Sequence, residues 1–168
     1  MILIIAYGNP LREDDGAGLV LAEKLETLLR RLAIETRRVE MQQLLPELAA
    51  EIAADQPDAV LFVDARVATA QIEQVVVQPL RADDAASPGL GHHLDPAAVL
   101  TYATALYGRA KQPAWLVTVP GWQFGYREHL STYSEEAIFH ALNVPESQLY
   151  RLVDKLQQLH PTRHTVVP

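Results

Sequence analysis

Three acids in a row, an isolated aspartate and a pair of histidines stand out as the groups able to act together. The first group lies in Tyr7-Gly8-Asn9-Pro10-Leu11-Arg12-Glu13-Asp14-Asp15-Gly16-Ala17-Gly18, the second is Asp64 after Ala59-Val60-Leu61-Phe62-Val63, and the third is His92-His93 before Leu94-Asp95-Pro96. Two carboxylates, from Asp14 or Asp15 and from Asp64, with one imidazole from His92 or His93, make a mixed ligand set for a first-row divalent cation. Three protein ligands leave coordination positions open for water or for groups of another molecule. Each part also has an ordinary reading. Acids ahead of a helix cap its free N–H groups and complement its dipole, an aspartate after a strand makes a turn, and an exposed histidine is common surface. What separates the two readings is whether the chain brings these residues to one place.

The surrounding elements are placed to do so. Met1 to Ala6 is an apolar, β-branched run of the length of one buried strand. From Leu19 to Leu32, with Ala17 ahead, apolar residues recur at helical spacing, so the acidic stretch is the turn of a strand-turn-helix unit. In an open α/β sheet that turn sits at the carboxyl end of its strand, where ligands bind. Gly8 and Asn9 tolerate positive φ, and Gly16 and Gly18 let backbone approach closely. The glycines do not fit G-x-G-x-x-G, and no Gly-Lys-Ser/Thr is present, so a dinucleotide or phosphate loop is a poor account. Residues 33–40 read as a second, more exposed strand. Pro46 opens a helix through Ala54. Residues 59–63 form a buried strand ending on Asp64, which should emerge at the same edge as the acidic turn. Residues 71–80 follow without a crossover helix, predicting an antiparallel strand at the edge, where Pro79 is tolerated. Arg81 to Gly91 reads as a loop. Asp95 as cap and Pro96 as first helical residue start a third helix that stops near Gly108. A strand over 114–119, an aromatic-rich loop over 122–129, a helix capped by Ser131, Thr132 or Ser134, and an amphipathic helix from Pro145 to Leu159 complete the order βαβαββαβαα. This predicts one three-layer α/β domain over 1–160, a twisted, mostly parallel five-stranded sheet with helices on both faces and one antiparallel strand. Residues 161–168 read as a poorly ordered tail.

Composition narrows the classes. With 168 residues, 49% hydrophobic and 21% charged, the chain has the make-up of a globular protein with a real core. A net charge of -7 argues against a nucleic-acid backbone as partner; Arg30, Arg31, Arg37 and Arg38 are only a local concentration at a solvated helix end and strand edge. The absence of cysteine removes disulfides, thiolate metal sites and a cysteine nucleophile together. No stretch has the length of a membrane span, and the apolar start lacks the basic flank of a signal peptide. A cytoplasmic protein is the expectation. Ser87, Ser131, Ser134 and Ser147 lie in no Gly-x-Ser-x-Gly elbow, against a serine hydrolase.

Taken together, Gly8-Asn9-Pro10-Leu11-Arg12 with Asp14-Asp15-Gly16-Ala17-Gly18, Val63-Asp64-Ala65 and His92-His93-Leu94 resemble the hydrogenase maturation proteases. These endopeptidases remove a C-terminal extension from the large subunit of nickel-iron hydrogenases. The resemblance runs from the start of the chain into the loop before Leu130-Ser131. It implies metal-contacting roles for Asp15, Asp64 and His92, with Asp14 an alternative at the first position. His92 is favoured over His93 because the family's histidine is followed by one variable residue and then Met or Leu, here Leu94; Gly91 stands where the family often has Ser or Thr. It further implies nickel as the metal, supplied by the precursor and required before the cut, with another divalent cation able to occupy the isolated protein. The expected partner is the hydrogenase large-subunit precursor, met by a monomer, with no nucleic acid or membrane involved. Either a carboxylate, Asp15 or Asp64, serves as general base, or the cation lowers the pKa of a water. Two other readings compete: a nickel-sensing or chaperone-like module that binds a precursor without cutting it, and a peptidyl-tRNA hydrolase, which also opens with a strand running into Gly-Asn-Pro.

Overall fold

The apolar opening run becomes strand β1 (Ile2–Tyr7), and the alternation of its side chains decides the layering of the molecule. In the computed structural model, which describes residues 1–82, 94–108 and 112–159, the chain continues through a short 3-10 turn (Glu13–Gly16), α1 (Ala17–Arg31), β2 (Thr36–Met41), α2 (Leu48–Asp55), β3 (Ala59–Val67) and β4 (Val76–Leu80). It then forms α3 (Pro96–Tyr107), β5 (Ala114–Gly121), α4 (Thr132–Asn143) and α5 (Gln148–Leu159). The five strands make one sheet in the order β2-β1-β3-β5-β4, parallel except for the β4/β5 pair. That is the predicted α/β architecture. Most of the loop expected over 81–91, and the tail at 161–168, lie outside the described residues.

Ile2, Ile4, Ala6, Leu61 and Val63 pack toward α1, α4 and α5, while Leu3, Ile5, Val60 and Phe62 pack toward α2 and α3. Both faces of β1 and β3 are therefore covered, which is why these strands read as continuous apolar runs. Phe62 is among the largest fully buried side chains; truncating such a residue to alanine typically costs about 3–5 kcal/mol. The same alternation carries Tyr7 and Asp64 onto the α2/α3 face, next beyond Ile5 and Phe62.

Several boundaries differ from the sequence expectation: β2, α2, β4 and α5 begin later than expected, β4 only at Val76, and two strands run further at the carboxyl edge. β3 does not end at Val63 but runs on to Val67, because Asp64, Ala65, Arg66 and Val67 still pair with Thr118, Val119, Pro120 and Gly121 of β5. Likewise β5 extends through Pro120-Gly121. At the sheet edge, the N–H of Val77 is taken by Gln148 Oε1 at 2.8 Å and Pro79 has none to offer, so β4 presents few donors to another strand. Three of the four arginines are not simply solvated: Arg30 and Arg38 pair with Glu26, Arg38 also with Glu40, and Arg37 with Glu51 and Asp55. No helix among the described residues is long and apolar enough to cross a membrane.

Candidate active site

The acidic turn does not cap the helix it precedes. Neither the 3-10 turn nor α1 has a side-chain cap; each acid bonds elsewhere. Glu13, in a positive-φ conformation (φ 48), accepts from Gly125 N at 2.6 Å, and its own N–H donates to Arg127 O at 2.9 Å. Asp14 is fully buried and accepts four hydrogen bonds, from Trp122 N (2.7 Å), Gln123 N (2.9 Å), Ser131 N (2.7 Å) and Ser131 Oγ (2.7 Å). Burial opposes its charge, but the donors from Ser131, Gln123 and Trp122 overcome that and hold its carboxyl below the ordinary value. With its oxygens committed in this way, Asp14 anchors the turn to the segment after β5. Ser131 is the cap of α4, its Oγ accepting from Ser134 N.

Asp15 points the other way. Its Oδ2 accepts from Asn9 N at 3.1 Å, and it lines a cleft of about 570 Å³ together with Tyr7, Asp64, Gln42, Leu94 and Asp95. Asp64 reaches the same cleft from β3, accepting from its own Ala65 N at 2.7 Å and from the Tyr7 hydroxyl. Burial first, and then the charge of Asp15, push the Asp64 carboxyl up to about 6 against the opposing pull of its two donors. Burial and the neighbouring charge of Asp64 raise the Tyr7 phenol above its ordinary value, so it remains a donor. Among the described residues no lysine or arginine lines this cleft.

Glycines at the turn are there for close approach. A Cβ at Gly18 would lie 2.8 Å from Asp64 Cα, one at Gly16 would lie 2.9 Å from Pro10 Cα, and Gly8, at φ 142, holds the carbonyl oxygen of Asp15 where a Cβ would meet it at 2.1 Å. The first turn of α1 is thus pressed onto the backbone that carries Asp64, as Gly18 suggested. Asn9, in contrast to expectation, is not in a positive-φ conformation; its Oδ1 instead accepts from Leu11 N at 3.0 Å.

Asp15 and Asp64 therefore converge as predicted. His92 and His93 lie outside the described residues, though Leu94 and Asp95, next in the chain, line the cleft. Among the described residues no three His, Asp or Glu side chains form a group able to hold a metal ion, so the pair Asp15 and Asp64 is what they offer to one. Sequence reading missed Tyr7 and the position of Asp95. Tyr7 was findable: Leu3, Ile5 and Tyr7 alternate on the face shared by Val60, Phe62 and Asp64. Asp95 was correctly read as the α3 cap, accepting from Ala98 N at 2.6 Å, but its place beside the cleft depends on how α3 packs.

A five-stranded, mostly parallel sheet covered on both faces, with two carboxylates converging in a cleft at its carboxyl edge, defines the class: a doubly wound α/β protein with an acidic site at the strand ends. The fold is that of the hydrogenase maturation proteases. The structure matches the nickel-iron hydrogenase maturation protease HycI from Thermococcus kodakarensis KOD1 with a TM-score of 0.60 and 22% identity, covering 94% of this chain and 90% of that one. It matches the hydrogenase maturating endopeptidase HybD from E. coli with a TM-score of 0.59 and 19% identity, covering 94% and 92%. For HybD from Thermococcus kodakarensis the values are 0.56 and 18%, covering 94% and 97%. No protein-family model and no curated protein sequence matches the chain.

Proposed function

We propose that this protein is an endopeptidase that removes the C-terminal extension of a nickel-iron hydrogenase large-subunit precursor once nickel has entered it. The observation that carries this reading is the meeting of Asp15 and Asp64 in one cleft that, among the described residues, no lysine or arginine lines. Burial chiefly, and the charge of Asp15 in addition, disfavour the ionised Asp64, and a cation brought in by another molecule relieves both. Nickel in the precursor is then part of the substrate, addressed by Asp15, Asp64 and, by the motif resemblance, His92. Its arrival fixes where the scissile peptide lies. A carboxyl held near pH 6 is suited to taking a proton from an attacking water and releasing it to the leaving amine, which assigns the general-base role to Asp64 and leaves Asp15 to the cation. Tyr7 keeps the Asp64 carboxylate oriented.

The test is the intact mass of a nickel-loaded precursor before and after incubation with the protein. Shortening at the C-terminus is the expected result. A precursor that binds and keeps its full mass would instead make the protein a chaperone-like module acting on the same partner.

A further inference from the structure

At the carboxyl edge of the sheet, the edge that also carries Asp15 and Asp64, the end of β3 and the loops after β1, β3 and β5 hold large apolar side chains out in water: Leu11 is 54% exposed, Val67 68%, Ile72 85% and Tyr126 88%. Leu11 shares its turn with Asp15, and Val67 ends the strand that carries Asp64, three residues or about 10 Å further on. The segments that carry them are fastened to one another. Ala68 N donates to Gly121 O at 2.8 Å, the Trp122 indole donates to Ala70 O at 2.9 Å, and Trp122 N is held by Asp14. Arg12 donates to Phe124 O and lies 5.9 Å from the centre of the Tyr126 ring. Around Ile72, Glu73 pairs with Arg66 and accepts from Thr69 Oγ1 at 2.9 Å and Ala70 N at 2.7 Å, while Arg66 also bonds Gln74 O. Hydrogen bonds and an ion pair thus hold the backbone under these side chains without burying the side chains themselves. A surface ordered in advance loses little freedom on docking, and apolar groups shown together at a functional edge mark a contact with another protein.

We infer that Leu11, Val67, Ile72 and Tyr126 form a preordered docking rim for the folded body of the hydrogenase large-subunit precursor, seated while its cation-bearing segment enters the cleft. The occupant follows from continuity with the cleft and from charge: among the described residues Asp15, Asp64 and Asp95 line it with no lysine or arginine, so the entering segment carries positive charge and the flanking surface is apolar. The inference rests on the peptidase reading and gives it a recognition surface separate from its chemistry.

The experiment uses the full chain and nickel-loaded precursor, measuring cleavage kinetics and, separately, binding by interferometry. Ile72→Asp/Tyr126→Ser should raise KM and Kd about tenfold or more while kcat stays within about twofold. Phe139→Asp, at an apolar residue on α4 that is 67% exposed, should change neither. If the rim variant cuts and binds like wild type, or if Phe139→Asp is the one that weakens binding, the rim is wrong and the peptidase reading survives. If wild type binds without cutting and the rim variant loses binding, the rim stands and the peptidase reading falls. Wild type that neither binds nor cuts the precursor overturns both.

Discussion

Asp14 and Asp15 are adjacent in the chain and have opposite surroundings. On one side of the turn, Asp14 is sealed beneath the segment after β5 with four donors and a carboxyl held below its usual value. On the other, Asp15 and Asp64 face a cleft with one backbone donor each, joined at Asp64 by Tyr7, and the Asp64 carboxyl is pushed up. The difference is between a charge whose hydrogen bonding is complete inside the protein and charges whose partners are still to come. The first builds the turn, and the second pair is free to meet a ligand.

The comparison is broken most directly by exchanging the roles. Asp64→Ala and Asp15→Ala should each reduce precursor processing by about 100-fold or more while each variant stays folded and melts cooperatively. Processing by either variant at wild-type rate would remove the site. Asp14→Ala should do the reverse in stability: it leaves the N–H groups of Trp122, Gln123 and Ser131 without their acceptor, at a cost of about 3–5 kcal/mol in urea denaturation. A stable Asp14→Ala protein would show that the segment after β5 is held by something else.

A third test uses pH. Because the folded protein keeps the Asp64 proton up to about pH 6 whereas the unfolded chain releases it near the ordinary aspartate value of 3.8, the native state binds more protons between those values. The contribution of Asp64 to stability is therefore full below pH 3.8 and is lost as pH rises through about 6. Asp64→Asn should flatten that fall, leaving the variant about 2–3 kcal/mol more stable than wild type at pH 7, as read from denaturation at several pH values. Equal pH profiles would mean that the carboxyl is not strained by burial and by Asp15. The smallest effect is expected from Ser131→Ala, about 1–2 kcal/mol from loss of the α4 cap and one bond to Asp14, with processing retained.

Much of the framework was legible because it is local. β1, β3 and β5 read as apolar runs, Asp95-Pro96 announced α3, Pro79 marked an edge strand, and Gly16 and Gly18 announced close approach. The reach of β3 past Asp64 was hidden, since its polar residues have no strand pattern and are kept extended by pairing with β5. His92, named from the motif, lies outside the described residues.

By itself the sequence determined the order of elements, the edge at which Asp15 and Asp64 emerge, and the periodicities that bury the strands between two helical layers. Only the tertiary structure decided which acid of the turn is anchor and which faces the cleft. The donors that fix Asp14 come from residues more than a hundred positions away, and no local propensity records a hydrogen bond whose two ends meet only when the sheet has closed.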